Sequence, residues 1–319
     1  MSDVILSNEV IIYLLSEMII YTLMVIAFLL TPNIIRNWDF SHFSSEQFKL
    51  ENSSYLIITI ISFTIMLKII LLPYFVYTID ELSNIVTGAM CGAGVIKANS
   101  YGNPLLLLKI VIIFLSGFWI TLNRLDLKAK DYPYITIKLW LFIAIFALIT
   151  MELTLDLLYF SNIETSKPVS CCSAIFEGGD SLPFGLDIFK ILVLFYLIYF
   201  LILLTTISKQ YIASIFANAL FLPISYYAIV YFFGTYIYQL PTHKCPFCML
   251  QSDYYFIGYI IWGLMLIGIF LGIDYPLSRV IFRDREGNRG VLSLILLTIF
   301  VVISTGFVAF YYFKTGVCL

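Results

Sequence analysis

Long apolar stretches alternate with short polar ones along the whole of this chain. Eight apolar runs lie near residues 9–31, 54–77, 105–123, 134–160, 185–207, 211–240, 254–273 and 291–313. Each is close to the roughly 20 residues needed to cross the hydrocarbon of a bilayer. Only a helix or a closed barrel satisfies its own backbone groups there. The pattern therefore predicts an all-α, polytopic helical bundle of about eight transmembrane helices, forming a single transmembrane domain over 1–319. Pro223 falls inside the sixth run, where its missing N–H predicts a kink.

Lysine and arginine in short connections are retained on the cytoplasmic side of a membrane. Arg36 with Lys49, then Arg124, Lys128 and Lys130, then Lys209, then Arg279, Arg283, Arg285 and Arg289 occupy every second connection. Those connections are expected in the cytoplasm. Both termini and the connections 78–104, 161–184 and 241–253 are then expected outside, in an integral protein of a prokaryotic cytoplasmic membrane. The opening Met1-Ser2-Asp3 lacks the basic stretch of a signal peptide, so the first run reads as a retained helix.

Composition narrows the function. The chain is 61% hydrophobic and 12% charged, which excludes an ordinary soluble domain with its ~45–50% apolar share. The connections are too short for a soluble domain with its own core, so chemistry is expected inside the bundle or on its outer rim. A net charge of -2 argues against a nucleic-acid partner and leaves membrane lipid as the general one. No phosphate-binding glycine loop, zinc-protease helix motif or serine nucleophile elbow occurs.

The six cysteines carry the sharpest chemistry. Cys91, Cys171, Cys172, Cys245 and Cys248 fall in the three outer connections and Cys318 in the outer tail, as expected for an oxidising compartment. The run His243-Lys244-Cys245-Pro246-Phe247-Cys248 has the spacing of a redox or metal centre. In a helical turn the i and i+3 positions share a face, and a helix N-terminus beside Lys244 and His243 is expected to lower a thiol pKa. Cys245 and Cys248 are thus catalytic candidates, one attacking and one resolving; an inert disulfide tying the loop is the bland alternative.

Adjacent Cys171 and Cys172 pair poorly with each other, because a bridge holds its two α-carbons about 5.5 Å apart. They are expected to exchange with Cys245 and Cys248, or to join His243, Cys245 and Cys248 as soft ligands for copper or zinc. The alternative is a set of stapling disulfides that also takes in Cys91 and Cys318. Haem is not expected, since Met249 follows Cys248 where attachment needs histidine, and His42 and His243 lie on opposite sides. The small residues of Gly88–Gly94 around Cys91 read as tight helix packing or close approach of a ligand.

The pair in Cys245-Pro246-Phe247-Cys248, together with separate loop cysteines, resembles in its logic the quinone-coupled disulfide-forming membrane proteins and the vitamin K epoxide reductases. The resemblance implies electron exchange between a C-x-x-C pair at the outer end of a helix and a second loop pair. Those families have a smaller helical core and loop cysteines that are not normally adjacent, so the likeness is one of function.

Glu17, Lys68, Lys109, Glu152 and Asp156 interrupt the apolar runs, where an unpaired charge costs at least ~2.5–3.5 kcal/mol. They are expected to face the bundle interior, mostly in its outer half, with Glu152 and Asp156 on one helix face at i, i+4. Lys68, Glu152 and Asp156 are the candidates for a polar cavity that takes a quinone head group or releases protons. The simpler reading is that Glu17 or Glu152 neutralises Lys68. Tyr226, Tyr227, Tyr231, Tyr236 and Tyr238 crowd the outer part of the sixth helix as headgroup anchors.

Three functions fit these residues. One is a membrane thiol–disulfide oxidoreductase or electron-transfer component with a redox-active C-x-x-C on the extracytoplasmic face, coupled to quinone. Another is a soft-metal, copper-handling or maturation factor for an extracytoplasmic enzyme. The third is a structural membrane subunit with stapling disulfides. The first two call for a periplasmic partner, either thioredoxin-like or metal-carrying.

Overall fold

The structure, a computed structural model, describes residues 4–38, 45–129, 132–169, 187–282 and 288–319. Among these residues there is no strand, and eight helices are long and apolar enough to cross a membrane. They are α1 Asn8–Asn37, α2 Ser45–Glu81, α3 Gly102–Lys128, α4 Ile135–Ser161, α5 Ile188–Ile207, α6 Tyr211–Ala228, α7 Ile257–Ile281 and α8 Arg289–Thr315. α6 widens into a π turn at Ile229–Phe233 and closes with one further α turn, Gly234–Tyr238. Pro223 is accommodated within it. Several helices outrun their apolar cores: α2 starts at Ser45 because Glu46, Gln47, Lys49 and Leu50 are good helix formers that extend it beyond the hydrophobic run.

Large apolar side chains such as Leu29, Ile70, Leu107, Phe200 and Phe216 point outward from these helices. A soluble surface does not carry apolar faces on this scale. The chain is an integral membrane protein whose outer faces contact lipid.

The chain divides into two compact units. Unit 1 comprises Met1–Thr87 and Val95–Val169, and unit 2 comprises Gly88–Gly94 and Ser170–Leu319. In unit 1, α1 packs on α2, α2 on α3, α3 on α4 and α4 back on α1, closing a four-helix ring. Gly102 opens α3 where no side chain fits, since an added Cβ would lie 2.0 Å from the Ile96 carbonyl oxygen. The same corner is tied by Asn99 donating to the Tyr159 carbonyl at 2.9 Å, and by Tyr159 donating to the Val95 carbonyl at 2.9 Å.

The opposite end of unit 1 is held by an ion pair between Lys138 and Asp126, 2.5 Å apart and both fully buried. Asp126 also accepts from the Tyr134 backbone N–H at 2.8 Å, and Lys138 donates to Asn123 at 3.2 Å. Removing one partner of such a pair leaves an uncompensated buried charge, at a cost of roughly 3–5 kcal/mol. Asp126→Ala is therefore expected to lower the thermal midpoint of the purified protein by many degrees, and an Asp126→Ala/Lys138→Met double variant to recover most of it. A single variant as stable as the wild type would show that the pair does not hold this end.

Unit 2 repeats the plan with α5 on α6, α6 on α7, α7 on α8 and α8 on α5. Its core is aromatic: Phe195 lies 5.2 Å from Phe221, 5.2 Å from Phe233 and 6.0 Å from Phe300. At the α6–α7 contact, Asn218 donates to the Gly272 carbonyl at 3.3 Å, and a Cβ on Gly272 would strike the Asn218 amide.

Candidate functional site

The cysteines of unit 2 converge. Cys91, in the Gly88–Gly94 segment, meets Cys245 and Cys248 from the connection between α6 and α7, and the three sulfurs all lie within 4.8 Å of one another. Cys91 Sγ is 3.4 Å from Cys245 Sγ. That is far beyond the ~2.05 Å of a disulfide and close to the spacing of two sulfurs sharing one ion. All three are buried, with exposures of 0%, 1% and 6%.

Local chemistry builds this corner. Gln239 ends α6 at φ 54, and Tyr255 and Phe256 precede α7 at φ 54, all in the left-handed region that side chains rarely adopt. These constrained residues bracket the cysteine segment, as strained backbone often brackets functional sites. Between them, the Tyr238 hydroxyl donates to the Cys245 carbonyl and accepts from the Met249 N–H at 3.1 Å. Trp262 of α7 donates to the Pro246 carbonyl at 3.3 Å. Gln251 donates to the Met90 carbonyl at 3.3 Å, joining the two cysteine-bearing segments one residue from Cys91. Gly258 lets the turn approach α7, since a Cβ there would meet Met249 at 2.6 Å.

No protein-family model, curated protein or solved structure matches this chain.

The cysteine environment corrects the sequence reading at two points. Cys248 opens a three-residue 3-10 turn, Cys248–Leu250, and α7 begins only at Ile257, so Cys245 and Cys248 do not sit at the N-terminus of α7. The Lys244 ammonium lies over the Tyr231 ring, 5.5 Å from its centroid. Instead of being lowered, the Cys248 thiol pKa is pushed well up, first by its hydrogen bonds to Cys245 and Cys91 and then by burial. His243 stands beside the triad without joining the group whose donor atoms share the 4.8 Å span. Its ring packs edge-on against Tyr238 at 4.4 Å, its Nε2 is buried with no hydrogen-bond partner, and burial lowers its pKa. Burial likewise raises the Tyr254 hydroxyl.

Cys171 and Cys172, expected as exchange partners or ligands, lie outside the described residues. Cys318 is exposed in the C-terminal tail and is not part of the triad. The sequence reading leaves Cys91 out of the metal-ligand set and gives it to a stapling disulfide or to a segment of tight packing or close ligand approach. Its signal was present in the glycines that flank it, which permit close backbone approach, but nothing in their spacing points 154 residues ahead to Cys245.

Unit 1 contains a second polar cluster. Glu17 and Tyr13 from α1, Lys68 from α2, Lys109 from α3, and Glu152 and Asp156 from α4 are all buried at one end of the four-helix ring. Lys68 donates to both Glu17 oxygens at 2.6 and 2.5 Å and lies 2.9 Å from Glu152 Oε2. Lys109 donates to Glu152 Oε1 at 2.6 Å, Asp156 Oδ2 at 2.9 Å and the Tyr13 oxygen at 2.5 Å. The simple expectation of one acid neutralising Lys68 understates this network, and Tyr13 had escaped notice as one tyrosine among 23. Tyr13, Glu17, Lys68, Lys109 and Glu152 line a cavity of about 10 Å³, room for about one water molecule and far less than a quinone ring needs.

Proposed function

We propose that unit 2 binds a soft metal ion, copper(I), through Cys91, Cys245 and Cys248, and handles it on the extracytoplasmic face for a metal-carrying partner or an extracytoplasmic enzyme. The convergence of three buried sulfurs from two separate segments carries this reading. Packing needs no such convergence, and a disulfide uses only two. Thiolates select soft ions such as copper(I) and zinc, and three sulfurs with no histidine, carboxylate or fourth cysteine in the same span among the described residues suit the ion with the lower coordination demand. The outer placement follows from the alternation of basic connections.

The thiol–disulfide reading is second, favoured by the 3.4 Å approach of Cys91 to Cys245. Against it, a redox pair uses two sulfurs, and here three converge.

Anaerobic titration of the reduced, purified protein with copper(I) against a chromophoric chelator separates the two. The metal reading expects one tightly held ion per chain, retained when Cys318 is replaced by serine. Zinc retained in its place, in competition with copper(I), would reassign the ion. No metal held, together with a mixed disulfide trapped on Cys245 or Cys248, would favour exchange.

A further inference from the structure

The cluster in unit 1 supports an inference independent of the cysteines. We propose that it is a proton-binding site, holding one exchangeable proton on Asp156 that relays through Tyr13 to Glu17.

Two separate counts give the same answer. Charge comes first: Glu17, Glu152 and Asp156 face Lys68 and Lys109, so full ionisation leaves one uncompensated negative charge among groups no more than 5% exposed. A charge stranded at such a place is costly, and one proton removes it.

Hydrogen atoms are the second count. The Tyr13 hydroxyl lies 2.8 Å from Glu17 Oε1 and 3.0 Å from Asp156 Oδ2, both hydrogen-bond distances, while it accepts from Lys109. A tyrosine carries one hydroxyl hydrogen and two lone pairs. It can fill one of these two contacts; the other is filled when the carboxyl brings its own hydrogen. Glu17 is gripped by Lys68 through both oxygens and stays ionised. Asp156 touches one ammonium, and its Oδ1 is buried with no partner. The proton therefore resides on Asp156, donated from Oδ2 to the Tyr13 oxygen, while Tyr13 donates to Glu17. The cluster is then neutral.

This arrangement transfers a proton without charging the tyrosine. The Asp156 Oδ2–H bond breaks as its hydrogen passes to the Tyr13 oxygen, and the former Tyr13 hydrogen passes to Glu17 Oε1. One proton has moved from Asp156 to Glu17, which lines the water-sized cavity and can pass it to water. The other titratable groups facing this path are Lys68, Lys109, Glu152 and, on α4, Tyr159, whose hydroxyl is engaged by the Val95 carbonyl.

Infrared spectroscopy of the full chain in lipid nanodiscs tests the proposal. At neutral pH the wild type is expected to show a protonated-carboxyl C=O band that shifts in D2O. Asp156→Asn, which mimics the neutral carboxyl in shape, is expected to fold and to lose that band, whereas Glu164→Gln, at an exposed carboxylate outside the cluster, keeps it. Tyr13→Phe is expected to retain the band but move it to higher frequency, because the acceptor of the carboxyl hydrogen is gone. No such band in the wild type, a band that survives Asp156→Asn, or a band unmoved by Tyr13→Phe overturns the proposal. The cysteine variants should leave this band unchanged, so the test stands or falls apart from the metal site.

Discussion

Cys91→Ser is expected to abolish copper(I) retention as completely as Cys245→Ser or Cys248→Ser, although Cys91 lies 154 residues from Cys245 in sequence. The three sulfurs all lie within 4.8 Å of one another, so each is one of three donors to a shared ion. Losing a supporting outer-shell partner of a metal ligand already costs about 10–100-fold in affinity, and losing a thiolate ligand itself costs more. Serine keeps the size and the buried setting and removes only the soft donor, so the helices should stay folded, held by packing among α5 to α8. Competition titration of the four single-serine variants, including Cys318→Ser as the control, is the check. If Cys91→Ser binds copper(I) like the wild type, the site reduces to the C-x-x-C pair and the triangle has no role.

Lys109→Met should have the largest effect on stability. Its ammonium makes three short contacts, to Glu152, Asp156 and Tyr13, and sits 4.5 Å from the centroid of the Phe75 ring. Methionine fills similar volume but leaves Glu152 without one of its two ammonium partners inside an apolar bundle. The expected loss is roughly 3–5 kcal/mol, the cost of breaking a buried pair from one side. Glu152→Gln placed on top of Lys109→Met removes the stranded charge and should restore a large part of the loss. Thermal unfolding in nanodiscs, read by helical signal, measures both. A Lys109→Met protein as stable as the wild type, or a double variant no better than the single, would mean that the network carries little of the fold.

What the sequence revealed and what it hid follow from the range of the forces involved. Helix number and type are written locally: each apolar run has to satisfy its own backbone in hydrocarbon, and eight such runs became eight helices. Boundaries were less legible, because polar helix formers such as Glu46 to Glu51 extend α2 past the apolar signal. The intramembrane charges were legible as a group, since Lys68, Lys109, Glu17, Glu152 and Asp156 stand out against apolar neighbours. Their pairing was not, because it depends on how four helices face one another. Cys245 and Cys248 announced themselves by spacing. Cys91 did not, since its partnership is purely tertiary, and the thiol environment was misread because the turn at Cys248 is 3-10 rather than the start of an α-helix.

X-ray absorption at the metal edge of the copper(I)-loaded protein tests the central claim most directly. The account predicts a first shell of three sulfurs at about 2.3 Å, the length of a metal–thiolate bond, in the wild type and in Cys318→Ser. A first shell of nitrogen and oxygen, or fewer than three sulfurs in the wild type, would contradict it.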